Sequence, residues 1–497
     1  TNFGATAAVP NAGSGVLITG GATFNEITPT MRTERTYFGD EYQTWRELVV
    51  QDLISGNLGA GVTIEGAGTN DNSVLGALIG VGYNAGNMIG LGNHGPGILI
   101  RDGAAANTVD EVPLALIHEP ASNVPGTVEV VFRKNVIVAN GTSAAPRAGV
   151  EITGAGTNYN TVANSFIGTN PDDANQTTLG NTGDGVLISG ANTVISGNVI
   201  DRNAQNGVKV VKGTGGLQKN LLLGNQIESN GGHGVLIADG AEGNGVGVHL
   251  QPSSVNPSYP IAASPNDGNT IQGNAGYQVY ITQVNDDHTA YNIVAGYNQI
   301  QSPAGQDAIC INGAEGNLIG NGGEGVDPTA ANYVVGNGNV IDYNTGRGVV
   351  VYGADGAEGN AILGNTFIGS DLLRAIVLNG YTTIFAPSIT NVSMSTGGGQ
   401  TTVTFDYAVP TSEHVRLDFY YVAPVAGGNQ AVQRYVGSVG DYVGSGSEQF
   451  TWTVPSDLGS VSGGYLAATA TYHLLNTVDG TLTAGSITSQ FALTPIP

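Results

Sequence analysis

Hydrophobic and polar positions alternate along this chain in short bursts. A small residue, usually glycine, precedes two apolar residues spaced one apart: Gly185-Val186-Leu187-Ile188, Gly207-Val208-Lys209-Val210 and Gly234-Val235-Leu236-Ile237. Further copies begin at Gly15, Gly61, Gly97, Gly149 and Gly348, with degenerate ones at 279–281, 308–311 and 375–378. A period of two predicts strands and excludes amphipathic helices. Between the copies runs a second phrase, as in Asn192-Thr-Val-Ile-Ser-Gly-Asn198-Val-Ile200, which recurs over 160–168, 220–227, 292–300 and 360–369. Runs this short are not stable alone, but stacked turns let every backbone donor and acceptor pair above or below. The tightest spacings are 22 residues (Gly185 to Gly207) and 27 (Gly207 to Gly234). The wider gaps hold either two turns or one turn with an insertion, giving about fourteen to sixteen turns in all. Glycine and asparagine are expected at the corners because both tolerate left-handed backbone angles.

These phrases, together with Phe166-Ile-Gly-Thr169, Leu179-Gly-Asn181 and Val194-Ile-Ser-Gly-Asn198, resemble the repeats of bacterial right-handed parallel β-helix proteins of the pectate-lyase-like superfamily. The resemblance spans about Gly15 to Gly380 and implies an all-β, right-handed parallel β-helix. It says little about activity, because that superfamily includes lyases, hydrolases, epimerases, tailspikes, adhesins and structural proteins.

Four insertions are expected in the solenoid region 1–386, near 31–50, 110–131, 246–267 and 322–333. The first, read as a loop or short helix, gathers Tyr37, Phe38, Tyr42 and Trp45, which are candidates for a subunit contact. The third carries Pro252, Pro257, Pro260 and Pro265 and is expected to be extended. From 387 to 497 longer alternating runs replace the repeat. Seven such runs fit a small antiparallel sandwich, and they resemble the Ig-like C-terminal domain that often follows these repeats in bacterial surface proteins. In the run from Val415 to Val422, Val415, Leu417, Phe419 and Tyr421 face one way and Arg416, Asp418 and Tyr420 the other. This domain is expected to cap the solenoid or to mediate attachment.

Composition narrows the function. A net charge of −24, from 15 basic and 39 acidic residues, argues against nucleic acid and anionic membranes as partners. Cys310 is the sole cysteine, so no disulfide forms within the chain. It lies in an apolar run and reads as a small core residue rather than a nucleophile. No run of 18 apolar residues is present, so no transmembrane helix is expected. The chain starts at Thr1 on what already reads as a repeat, which suggests processing or an oligomeric contact over that end.

Candidate chemistry is sparse. Gly232-His233-Gly234 matches a tripeptide found in hydrolases of the superfamily. The slot before the repeat glycine, however, holds Ser14, Ala60, Pro96, Ala148, Asp184, Asn206, His233 and Arg347 in turn, which reads as a solvated corner and not a catalytic position. Asp286 and Asp287, beside His288, are candidates for a hard cation such as Ca2+. Basic residues concentrate at Arg202, Lys209, Lys212 and Lys219, read as a surface ion-pair patch. The loops Asp239-Gly-Ala-Glu-Gly-Asn244, Asn312-Gly-Ala-Glu-Gly-Asn317 and Asp355-Gly-Ala-Glu-Gly-Asn360 are read as corners with stacked hydrogen-bond ladders. Asn140, Asn175 and Asn391 lie in glycosylation sequons. No catalytic residues are assigned. The leading expectation is an extracellular or cell-surface, self-associating structural or adhesive subunit, a homo-oligomer or polymer. The alternative is a polysaccharide-acting enzyme or glycan-binding spike with carbohydrate as partner.

Overall fold

The computed structural model describes residues 7, 10–38, 42–84, 87–118, 127–170, 179–213, 217–250, 264–283, 288–320, 338–353, 359–369, 374–379, 386–409, 411–423, 431–444, 446–458, 460–472 and 487–497. Within these, the side chains of 31–38, 42–48, 115–118, 127–129, 411–414, 431–434, 440–444, 457 and 487 are outside the description. No helix among the described residues is long and apolar enough to cross a membrane.

The chain divides into two compact units. The first comprises 1–209 with 228–231, and the second 210–227 with 232–497. In each, three parallel walls of short strands enclose an apolar interior. Wall A of the first unit stacks Val16–Ile18, Val62–Glu65, Ile98–Arg101, Val150–Thr153 and Val186–Ile188, like residue over like. Wall A of the second stacks Val235–Ile237, Val279–Thr282, Ile309–Asn312, Val349–Tyr352 and Ile376–Asn379. These are the glycine-led copies, degenerate ones included.

The second phrase supplies the other two walls. Val194–Ser196 belongs to wall B and Val199–Asp201 to wall C, with Gly197 turning the corner at φ +64°. The inward positions are closed to solvent: Val62, Ile64, Ile98, Ile100, Val150, Ile152, Val186 and Ile188 all have zero exposure.

Direct pairing of Val16 with Val62 and of Ile98 with Val150 shows that each wide gap holds a single turn plus an insertion. The expected fourteen to sixteen turns were therefore too many. Nor is the first insertion a loop or short helix, and the second takes the same form as the first. They are antiparallel hairpins, Thr30–Phe38 with Tyr42–Val50 and Val112–His118 with Thr127–Arg133, each leaving the corner between walls B and C. A third hairpin, Val81–Asn84 with Asn87–Gly90, leaves the next corner and went unrecognised in the sequence. Most of the proline-rich insertion (251–263) and all of 322–333 lie outside the described residues.

Corner glycines such as Gly168 and Gly224 are left-handed as expected, at φ +84° and +61°. The repeat glycines at 15, 61, 97, 149, 185 and 234 are not left-handed. They are glycine because the next rung is too close: a Cβ on Gly97 would sit 2.5 Å from Ile137 Cγ2 and 2.7 Å from the Gly149 carbonyl oxygen. Most of the corner asparagines are likewise not left-handed but buried, their amides stacked in ladders. One runs Asn11–Asn57–Asn93–Asn140–Asn181–Asn203–Asn230, with Nδ2–H donating to the next Oδ1 at 2.7–3.0 Å. Another runs Asn220–Asn244–Asn292–Asn317–Asn360, and a third Asn225–Asn269–Asn298–Asn339–Asn365. In most rungs the same Oδ1 also accepts the backbone N–H of the preceding asparagine, as Asn317 does from Asn292 at 3.0 Å. The side chain must therefore present one acceptor and one donor at fixed reach, which aspartate, alanine and glutamine do not.

At its far end the second unit is closed by two antiparallel sheets. One is Ser388–Gly397, Gln400–Ala408 and Glu448–Thr453; the other is Ala431–Gly444, Thr411–Val422 and Tyr465–Tyr472, with short strands Ile487–Thr488 and Ala492–Pro495. Between them Val403, Phe405, Leu417, Phe419, Trp452 and Leu466 form a core. The expected alternation in Thr411–Val422 is present, but both faces are buried from Val415 to Val422. Its second face, Arg416, Asp418 and Tyr420, covers the last turn of the solenoid. Phe491 packs edge-on against both Tyr420 (5.1 Å) and Phe367 (5.7 Å). Ile368 and Gly369 pair antiparallel with Val432 and Ala431, and Ile362 N–H donates to Thr488 Oγ1 at 2.8 Å. Burial raises the Asp418 carboxyl pKa while the Arg416 guanidinium, 2.9 Å away, opposes that rise.

Asn292→Ala should lower stability by about 2 kcal/mol or more, because it removes the acceptor shared by the Asn244 side-chain and backbone N–H groups and leaves the Asn317 oxygen only a backbone donor. Asn292→Asp, which adds a buried charge, should cost more. Urea unfolding midpoints test both, and unchanged midpoints would refute the structural role of the ladder.

Candidate functional site: an aromatic and guanidinium face on wall A

Outward positions on wall A are free of the stacking rule, and in the second unit they collect a distinctive set. The slot before the repeat position reads His233, Tyr277, Asp307 and Arg347 over successive turns, and the middle strand position adds Tyr280 and Cys310. Parallel registration brings these residues together. His233 lies parallel to Tyr277 (centroids 5.5 Å, interplanar angle 5°), and Tyr280 tilts against both at 4.8 and 5.0 Å. His233 Nδ1 accepts the Tyr277 backbone N–H at 2.9 Å, and burial lowers the imidazole pKa, so the ring is neutral at pH 7. Gly276 makes room for it, since a Cβ there would lie 2.5 Å from His233 Nδ1.

One turn on, Arg347 clamps Asp307. Its Nε and Nη2 donate to the two carboxylate oxygens at 2.9 and 2.6 Å, and Nη2 also donates to the Tyr352 hydroxyl at 2.8 Å. These partners hold the guanidinium pKa above its ordinary value, the Asp307 hydrogen bonds being the largest influence. The Arg347 guanidinium lies 5.7 Å from the Tyr352 ring centre, and Asn312 Nδ2 donates to the Tyr280 hydroxyl at 3.2 Å. His233, Tyr277, Tyr280, Arg347 and Tyr352 are each half-buried, presenting ring and guanidinium edges outward. Beneath them Cys310 is only 1% exposed, with the Tyr277 hydroxyl close enough to influence its thiol. Burial pushes its pKa up to about 12. Cys310 is buried as expected, but on the outer face under an aromatic roof and not in the solenoid core.

The slot was misread as a solvated corner. Ala60, Pro96, Ala148, Asp184 and Asn206 are all buried there, and unlike neighbours complement one another. Asp184 Oδ1 accepts both the Asn206 Nδ2–H (2.8 Å) and its backbone N–H (2.9 Å), much as Asp307 receives Arg347. Reading the slot as a column of stacked pairs was the signal available in the sequence.

The other sequence candidates fall as follows. The backbone of Tyr37, Phe38, Tyr42 and Trp45 lies in the first hairpin, where Phe38 pairs with Tyr42, and their side chains are outside the described residues. Asp286 and Asp287 are also outside; His288, next to them, meets Glu315 at 3.0 Å. Among the described residues no three His, Cys, Asp or Glu side chains gather as a metal site. Asn140 has zero exposure and its Nδ2 is a ladder rung, so this sequon is closed to a glycan in the folded chain. Asn175 lies outside the described residues, and Asn391 is exposed with Nδ2 donating to Asp406 at 2.7 Å. Arg202 pairs with Asp201 at 3.4 Å, consistent with an ion-pair patch at that point. Asn244, Asn317 and Asn360 are the ladder members expected of the acidic loops.

Residues 80–255 match a family described as right handed beta helix region, and the stacked walls have that architecture. No curated protein matches the chain. Among solved structures, the Dettilon tailspike protein (gp208) is 13% identical, covering 81% of this chain and 85% of its own, with a TM-score of 0.25. The Streptococcus pneumoniae surface protein and adhesin PfbA is 10% identical over 65% and 68%, TM-score 0.24. The enzymatically active domain of Bacteriophage CBA120 tailspike protein 2 is 10% identical over 86% and 72%, TM-score 0.19. Likeness at this level says nothing of ligand or activity.

If the aromatic roof protects Cys310, a thiol reagent at pH 8 should label the native protein slowly and the unfolded protein at once. Tyr277→Ala should raise the native rate about tenfold or more by opening the roof. Equal rates in the two native proteins would disprove the roof.

Proposed function

We propose that this right-handed parallel β-helix protein is an extracellular or cell-surface glycan-binding protein that recognises uncharged polysaccharide along wall A. The observation that carries this reading is the run of half-buried His233, Tyr277, Tyr280, Arg347 and Tyr352 across four adjacent turns. Sugar C–H faces are apolar and slightly positive and pack on electron-rich ring faces, while hydroxyls pair with guanidinium, amide and phenol groups. A repeating ligand suits a repeating surface. The face itself is close to neutral, because Asp307 and Arg347 cancel. The −24 charge of the whole chain disfavours acidic polymers over neutral ones.

The patch favours binding over bond cleavage. Its carboxylate, Asp307, is held by two guanidinium hydrogen bonds and lacks a second acid at its side in this cluster, whereas glycoside hydrolysis calls for a pair. A panel of neutral and acidic polysaccharides, measured by calorimetry, tests the proposal. A neutral glycan should bind, and Tyr280→Ala and Arg347→Ala should each weaken it about tenfold or more. Binding indifferent to both variants would sink the wall A reading, and release of reducing ends would replace it with an enzymatic one.

A second reading, self-association, is favoured by Val130 and Phe132, both 56% exposed on the hairpin strand Thr127–Arg133. It is restricted by the C-terminal sheets, which occupy the last solenoid edge and close it to end-on growth. Lateral contact is therefore the expected mode. Sizing by light scattering should show multimers that dissociate in Val130→Ser/Phe132→Ser; a monomer at all concentrations would exclude it.

A further inference from the structure

Outward positions on wall C differ in character between the two units. In the second unit they read Gln226, Thr270, Gln299, Val340 and Thr366, mostly polar as a solvated wall should be. In the first unit they read Leu53, Leu78, Val136, Phe166 and Val199, all apolar. Leu78 and Val136 are 8% and 5% exposed although they point away from the solenoid interior, so other chain covers them. The hairpins of the first unit flank this strip. Tyr83 and Met88, cross-strand partners in the hairpin of 81–90, stand on one side, and the end of the strand Thr127–Arg133 stands on the other. They do not fill the space between them. A cavity of about 450 Å3 remains over Leu78, Val136 and Phe166, of a size that takes a small organic molecule.

Gln51 and Asn170 also line this cavity, and two cations edge it. Lys134 Nζ lies 5.3 Å from the Phe166 ring centre and 3.8 Å from Glu111 Oε2. Arg133 is half-buried in the lining and has no carboxylate partner among the described residues. Arg101, Arg147, Arg202, Arg347 and Arg416 each lie within 3.9 Å of a carboxylate. A guanidinium at the rim of a cavity, with no carboxylate partner among the described residues, is complementary to an anion supplied from outside.

We infer that this cleft is a second binding site, distinct from wall A, for a small amphipathic carboxylate. The apolar body lies over Leu78, Val136 and Phe166 between Tyr83 and Met88, and the carboxylate meets Arg133 with Lys134 adjacent. The inference does not depend on the glycan reading, since it uses a different wall of a different unit.

The test uses the full chain with two probes, 8-anilinonaphthalene-1-sulfonate as fluorescent reporter and decanoate as competitor. The reporter should saturate at one site per chain and be displaced by decanoate, with decylamine much weaker. Arg133→Gln should weaken decanoate about tenfold or more, and Arg133→Glu should reverse the preference in favour of decylamine. Arg101→Gln, whose partner is Glu65 on wall A, should leave both affinities unchanged. Absence of saturable binding in the wild type, or decanoate affinity indifferent to both Arg133 variants, would overturn the inference.

Discussion

Everything in this molecule depends on rungs of backbone lying one interstrand spacing, about 4.8 Å, apart. At that distance a side chain facing the interior meets its counterpart in the next turn before it meets anything else. The interior therefore accepts only residues that tolerate their own kind as neighbours. Valine and isoleucine do so by shape, and asparagine does so by carrying a donor and an acceptor on one short arm. Glycine at positions such as Gly97 does so by offering nothing to collide with. A fold with so few charged residues holds together without a disulfide because backbone and amide hydrogen bonds run continuously along each stack.

Outside the walls the rule relaxes, and function has room there. Wall A of the second unit places unlike residues over one another in complementary pairs, as with Asp307 and Arg347. Wall C of the first unit turns apolar where hairpins cover it. Both surfaces are fixed by register: because each turn pairs with the next at defined residues, side chains 30 to 50 positions apart in sequence become immediate neighbours on a rigid support.

The strands were legible because their period-two pattern is local. Glycine-led copies such as Gly185 to Ile188 and Gly234 to Ile237 map directly onto wall A, and even the degenerate Ala308 to Ile311 was placed correctly. The number of turns was not legible, because a hairpin strand such as Val112–His118 alternates just as a wall strand does, and nothing local says that it leaves the wall. The left-handed role expected of glycine holds at corners such as Gly197 and Gly224, but the roles of the repeat glycines and ladder asparagines were missed for a related reason. Composition suggests backbone conformation, whereas the deciding quantity is distance to the next rung. The wall A face escaped notice because His233, Tyr277, Tyr280, Asp307 and Arg347 are individually unremarkable and become a site only when the copies are aligned. Asp286 and Asp287 drew attention through adjacency in sequence, a weaker guide than adjacency in register.

Closure of the solenoid by its own C-terminal residues has a consequence for biogenesis. The strand Thr366–Gly369 gains its antiparallel partner from residues more than sixty positions later, and Phe367 gains its covering ring from Phe491, more than a hundred positions later. While the polypeptide is still emerging from the ribosome or a translocation channel, that rung is bare and able to template a neighbouring chain. Only arrival of the strands that carry Ala431, Thr488 and Phe491 seals it. Loss of these covering strands would thus leave an otherwise intact solenoid wall adhesive to its siblings, so they act as the stopper that keeps one molecule from being continued by the next.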